Sequence, residues 1–161
     1  MHPELNVAGT YSGAPPADLP KVMKAIDGSS IVHVLGYAIN GFAERDPKFR
    51  DAVLEEFNPR GIDFLRSAAT SCTGDSILMW GFTNTRQLTR TGESLSELVE
   101  RKPIFKETLL RQNQGKHPLK GPAMIASSPH DDLIPHQQVR AVAGAYCQMG
   151  GTCLLYTSDA A

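Results

Sequence analysis

No stretch of this 161-residue sequence stays apolar for the roughly 20 residues that a membrane-spanning helix requires. No basic segment followed by an apolar one opens the chain at Met1-His2-Pro3-Glu4, so no signal peptide is visible there. Charge of one sign is also lacking. Sixteen Lys and Arg face 17 Asp and Glu, for a formal net charge of -1, which gives no electrostatic reason to expect nucleic acid or an anionic membrane as partner. Three cysteines are too few for a disulfide-dense scaffold. They come without the paired Cys/His spacing of a zinc site, and nothing else in the sequence implies a metal or organic cofactor. Repeats, low-complexity tracts and coiled-coil heptads are absent. What remains is 41% hydrophobic residues, ordinary for a globular protein, in a length that suits about one domain.

Two strand signals stand far apart. Leu5 to Gly13 reads as a short strand running into the Gly13-Ala-Pro-Pro16 turn, and Ala123 to Ala126 is a brief apolar run after Gly121-Pro122. Between them the pattern is helical. Asp18 suits a cap for the stretch to Ile26, and Ser29 or Ser30 for the period Ile31, Val34, Leu35, Ala38, Ile39 and Phe42. Further helical segments follow over 49–57, 61–69, 75–88 and 95–112, with Pro103 breaking or starting a helix in the last. Leu35, Ile39 and Phe42 are expected at the centre of this body; with Ile31 they could equally line an apolar channel. Trp80 and Phe82 are read as core in preference to substrate contacts. A long helical stretch between two strands is an insertion carried on a sheet, so the fold class expected is α/β.

The second strand empties into Ser127-Ser-Pro-His-Asp-Asp-Leu-Ile-Pro135, and helical spacing resumes at His136 with Val139, Val142, Ala143 and Tyr146. Asp131 and Asp132 therefore sit where a strand of an α/β unit ends, the face on which such folds collect their chemistry. Asp is also a preferred turn and cap residue. Two readings stay open from the loop alone: solvation of a turn, or the acid of a Ser-Asp-His triad.

The whole chain, less its tail, resembles the secretory lipases of fungi and actinobacteria. The resemblance is carried by Pro3-Glu-Leu-Asn-Val-Ala-Gly9 with Gly13-Ala-Pro-Pro-Ala-Asp-Leu19, by Ser94-Leu-Ser-Glu-Leu98, and by His130-Asp-Asp-Leu-Ile-Pro135 with Tyr146-Cys147. It implies a fragment of an α/β-hydrolase: core strand and turn over 1–16, a helical lid over 17–113, and the core strand, acid loop and helix over 114–152. It implies a carboxylic ester hydrolase, a triacylglycerol lipase acting on lipid or small ester substrates, secreted, with Asp131 as the catalytic acid and Asp132 without a catalytic role. Cys72 and Cys147 fall where similar proteins carry cysteines, implying a disulfide between them; two buried thiols are the alternative.

Two parts of the family pattern are missing. Gly-x-Ser-x-Gly occurs nowhere, and the resemblance places it before Met1. The catalytic His should follow residue 152, and His2, His33, His117, His130 and His136 do not fill its position. Without both partners Asp131 cannot catalyse ester hydrolysis alone. A non-catalytic lipid-binding or interaction remnant of a hydrolase fold is the alternative reading. The nine residues Cys153-Leu-Leu-Tyr-Thr-Ser-Asp-Ala-Ala161 resemble a translated sequencing adapter, so Cys153 is expected to have no structural partner. Gly74-Asp-Ser-Ile77 echoes the Gly-Asp-Ser-Leu block of another esterase family. Its surroundings suit a helix cap better.

Overall fold

The computed structural model describes residue 4, residues 6–131 and residues 133–157. It divides into two compact units, Met1–Val22 with Gln112–Ala161 and Met23–Arg111.

The first unit is built on three parallel strands in the order β1-β2-β3: β1 (Thr10–Gly13), β2 (Ala123–Ser127) and β3 (Cys153–Thr157). Ile125 of the central strand pairs with Ser12 on one side and Leu155 on the other. Helix α8 (His136–Gln148) links β2 to β3 as a parallel connection requires. Alternation along β2 buries Ala123, Ile125 and Ser127, and Ile125 packs with Val139 and Ala143 of α8, flanked by Ile134, Tyr146 and Leu155. The helix ends where Gly150 takes φ +81°, a backbone conformation that L side chains resist. Gly150 and Gly151 donate to the carbonyls of Cys147 and Tyr146 as the chain reverses.

That reversal corrects the expected cysteine pairing. Cys147 is bonded to Cys153, with Cα atoms 6.0 Å apart, and Cys72 is exposed and free. The turn after α8 brings residue 153 back beside the last helical turn, so the nearest thiol is six residues on in sequence. The expectation that Cys153 has no partner fails for the same reason. Resemblance to an adapter concerns the origin of residues 153–161. The folding of residues 153–157 follows β-propensity, and Leu-Leu-Tyr-Thr suits a strand.

The unit's two crossings toward the helices lie side by side. Gln114 donates its backbone N–H to the Ala17 carbonyl at 3.1 Å, and Leu19 donates to Asn113 Oδ1 at 3.0 Å. Asp18 donates its N–H to Gln138 Oε1 at 2.7 Å, while its own side chain accepts from Lys21 N–H. Helix α1 (Leu19–Ile26) starts from this neck.

The second unit contains α2 (Val34–Arg45), α3 (Pro47–Glu56), α4 (Pro59–Thr70), α5 (Thr73–Trp80), α6 (Leu95–Arg101) and the α7 helix (Pro103–Gln112) up to Arg111. Local chemistry sets its starts. Asp46 accepts from Lys48 and Phe49 N–H ahead of Pro47, Asn58 accepts from Gly61 N–H ahead of Pro59, and Ser94 with Glu97 forms a reciprocal capping box. Neither Ser29 nor Ser30 caps α2; His33 occupies that position, and Ser29 Oγ donates to the Ile26 carbonyl instead.

The core of this unit is centred on Phe49, Val53, Phe57, Phe64, Leu88 and Leu98. Leu35 is buried as expected, but Ile39 and Phe42 are half-buried, because the large rings come from α3, α4 and α7. Phe49 meets Phe105 edge-on at 5.2 Å, and Phe64 meets Trp80 at 5.3 Å. Phe82 is 75% exposed, so only Trp80 of that pair joins the packing.

Candidate active site

The loop between β2 and α8 carries the candidate carboxylate. Asp131 is half-buried, and its Oδ1 accepts from the backbone N–H groups of Leu133 at 3.0 Å and Ile134 at 2.8 Å. Ile134 is held by packing against Ile125, Val139 and Ala143, so one of these donors is fixed by the core. Asp131 N–H donates to the Ser128 carbonyl, and His130 N–H donates to Ser128 Oγ. Among the described residues nothing donates to Asp131 Oδ2. Oδ1 thus orients the carboxylate. Asp132 lies outside the described residues, as does His2.

At the base of the loop, His136 Nδ1 and Ser127 Oγ share a hydrogen bond of 3.0 Å. Nothing in the sequence pattern signals this pair, because it joins residues nine apart through a loop with no period. The other histidines do not converge here. His33 is fully buried in the helical unit, edge-on to Tyr37 at 5.4 Å, and His117 and His130 are exposed. No described histidine hydrogen-bonds to Asp131.

Two further groups resolve as structural. Ser76 of the Gly-Asp-Ser block is interior to α5, fully buried, and accepts from Tyr37 Oη at 3.2 Å; Cys72 holds the cap position. Its hydroxyl is spent on packing. A charge cluster joins Glu56, Glu93, Arg101 and Lys102. The Arg101 guanidinium holds the Glu56 carboxyl below its ordinary range through a 2.7 Å contact, reinforced by Lys102 at 2.8 Å. Arg101 also lowers Glu93, with help from Thr91, and is itself raised by Glu93 and Glu56. Glu97 is lowered first by the Ser94 backbone N–H and then by Arg86. Each of these charges is paired, and the cluster ties α3 to the end of α6. Among the described residues no three His, Cys, Asp or Glu gather as metal ligands, and no helix is long and apolar enough to cross a membrane.

The sequence matches the secretory lipase family model over residues 1–161. The chain belongs to the secretory lipase family. Similar curated members include the secreted triacylglycerol lipase LIP4 of Malassezia globosa, 22% identical over 96% of this chain and 34% of that protein. Lipase 2 of Candida albicans is 24% identical over 98% of this chain and 35% of its own length. The chain therefore spans about a third of these secretory lipases. Among solved structures, Candida antarctica lipase A in its closed state superposes with a TM-score of 0.84 at 16% identity, over 99% of this chain and 38% of that one. The three strands and α8 thus form part of an α/β-hydrolase fold, and the family is one of hydrolases.

Proposed function

We propose that the protein carrying this chain is a serine-type carboxylic ester hydrolase, a triacylglycerol lipase, in which Asp131 is the acid of a Ser-Asp-His triad. The observation that carries this reading is the Asp131 carboxylate at the C-terminal end of β2, with Oδ1 fixed by two amides and Oδ2 free of donors among the described residues. In such a triad the serine attacks the ester carbonyl, the histidine takes the serine proton and passes it to the leaving alkoxide, and the acid holds the imidazole in the tautomer that can accept. Asp131 would perform that last task through Oδ2. The buried pairing of Ser76 with Tyr37 supports leaving Ser76 out of the chemistry. Residues 23–111, inserted between β1 and β2 as helices alone, suit a lid over a lipid ester site, and the secreted relatives support action outside the cell.

A fluorophosphonate probe tests the serine-type chemistry in the full-length protein. Labelling at one site per molecule, with loss of ester hydrolysis in proportion, is expected. Undiminished hydrolysis after saturating treatment would contradict the proposal.

A further inference from the structure

We infer that Ser127 and His136 are positioning residues for the Asp131 carboxylate. The inference rests on the reading of Asp131 as the triad acid and adds to it the device that sets where that acid stands. Ser127 is the last residue of β2 and is buried, facing the side of the sheet that α8 covers. A buried hydroxyl needs a partner, and its partner is the first residue of α8, His136, at 3.0 Å.

In the first turn of α8 the Gln138 side chain accepts from Asp18 N–H, but among the described residues His136 alone ties the helix start to β2 by a side-chain hydrogen bond. The N-cap of α8 is Pro135, which offers no side-chain acceptor, so the cap hydrogen bond that normally fixes a helix start is missing. The Ser127–His136 bond substitutes for it by tying the helix start to the strand end. Asp131 hangs in the loop closed by that bond. The amides that orient it, from Leu133 and Ile134, belong to the segment leading into His136. Core packing holds Ile134, so opening the base of the loop frees chiefly the Leu133 amide and lets the carboxylate turn about the one that stays. Displacement of a catalytic group by about 1 Å costs on the order of 100-fold in rate.

The test is a set of variants in the full-length protein, assayed by steady-state ester hydrolysis: His136→Ala, Ser127→Ala, the double variant, His136→Asn, and each alanine change combined with Asp131→Asn. Each alanine change is expected to lower kcat by about 10- to 100-fold with KM nearly unchanged. The double variant should be no worse than either single one. His136→Asn places an amide near the position of Nδ1 and should recover most of the loss, which also guards against an alanine variant that fails to fold. In the Asp131→Asn background His136→Ala should cost nothing further, because its effect passes through the carboxylate. Additive losses in the double variant, or an undiminished effect of His136→Ala beside Asp131→Asn, would overturn the inference. Full activity of both alanine variants beside an inactive Asp131→Asn would overturn it while leaving the acid in place. Full activity of Asp131→Asn would instead remove the reading beneath it.

Discussion

Gly61 lies in the first turn of α4, where a methyl group has no room. A Cβ built there stands 2.2 Å from the Leu88 carbonyl oxygen and 2.7 Å from Phe57 Cδ1. That carbonyl cannot step aside cheaply, because it accepts from Asn58 N–H at 3.0 Å while Asn58 Nδ2 holds the Gln87 and Thr89 carbonyls on either side. Gly61→Ala must therefore overpack the site, at about 1–3 kcal/mol, and weaken one or two of these hydrogen bonds, at about 1 kcal/mol each. Alanine's better helix propensity returns about 1 kcal/mol. The net is a loss of roughly 1–4 kcal/mol, which for a unit of this size lowers the melting temperature by on the order of 10 °C. Gly41→Ala is the control. Gly41 is exposed within α2 and a Cβ there meets nothing within 4 Å, so about 0.5–1 kcal/mol should be gained. The chain's single tryptophan, Trp80, packs on Phe64 in the same unit, so its fluorescence on heating reports this unit selectively. A Gly61→Ala protein melting with the wild type, or moving in the same direction as Gly41→Ala, would refute the packing argument.

Three further outcomes follow from the geometry. Because Arg101 and Lys102 lower the folded-state pKa of Glu56 below its ordinary 4.5, its stabilisation is present above that value and lost as pH falls through the lowered one; urea midpoints of the wild type and Glu56→Gln should converge on acidification, and a constant gap would contradict the pairing. Thr85 Oγ1 donates to Asp27 Oδ2 at 2.7 Å and accepts from Leu95 N–H at 3.0 Å. Thr85→Val should cost about 1–3 kcal/mol in urea unfolding by stranding that amide, and Thr85→Ser should cost clearly less. Thiol titration of the native chain should find one reactive cysteine, Cys72; mass mapping that instead finds Cys153 free would contradict the Cys147–Cys153 bond.

Features written in short-range chemistry could be read from the sequence. Helices expected over 49–57 and 61–69 are present but start two residues earlier, at Pro47 and Pro59, where Asp46 and Asn58 cap them, and the break expected at Pro103 separates α6 from α7. The run at Ala123 gives β2 to within one residue, and the helix after Pro135 begins at His136 as its spacing indicates. Tertiary choices were hidden. Ile39 and Phe42 have helical spacing suited to a core, but that spacing does not say which helix supplies the largest rings, and Phe49, Phe57 and Phe64 take the centre. The cysteine pairing was misassigned because it depends on a turn that places Cys153 beside Cys147, which no count of cysteines reveals. The place of Asp131 in a loop between a strand and a helix was legible. The Ser127–His136 bond was not, since a single contact through an irregular loop leaves no pattern.

The most direct measurement of the central claim compares Asp131→Asn with Asp132→Asn in the full-length protein, by ester hydrolysis on a soluble short-chain substrate. Asparagine keeps the shape of Asp131 and its acceptor toward Leu133 and Ile134 but removes the charge that would fix the imidazole. Loss of that charge costs about 10⁴-fold in turnover in a well-studied serine hydrolase. The account predicts a fall approaching that size for Asp131→Asn and a far smaller one for Asp132→Asn. Equal losses, or a larger one at Asp132, would contradict it.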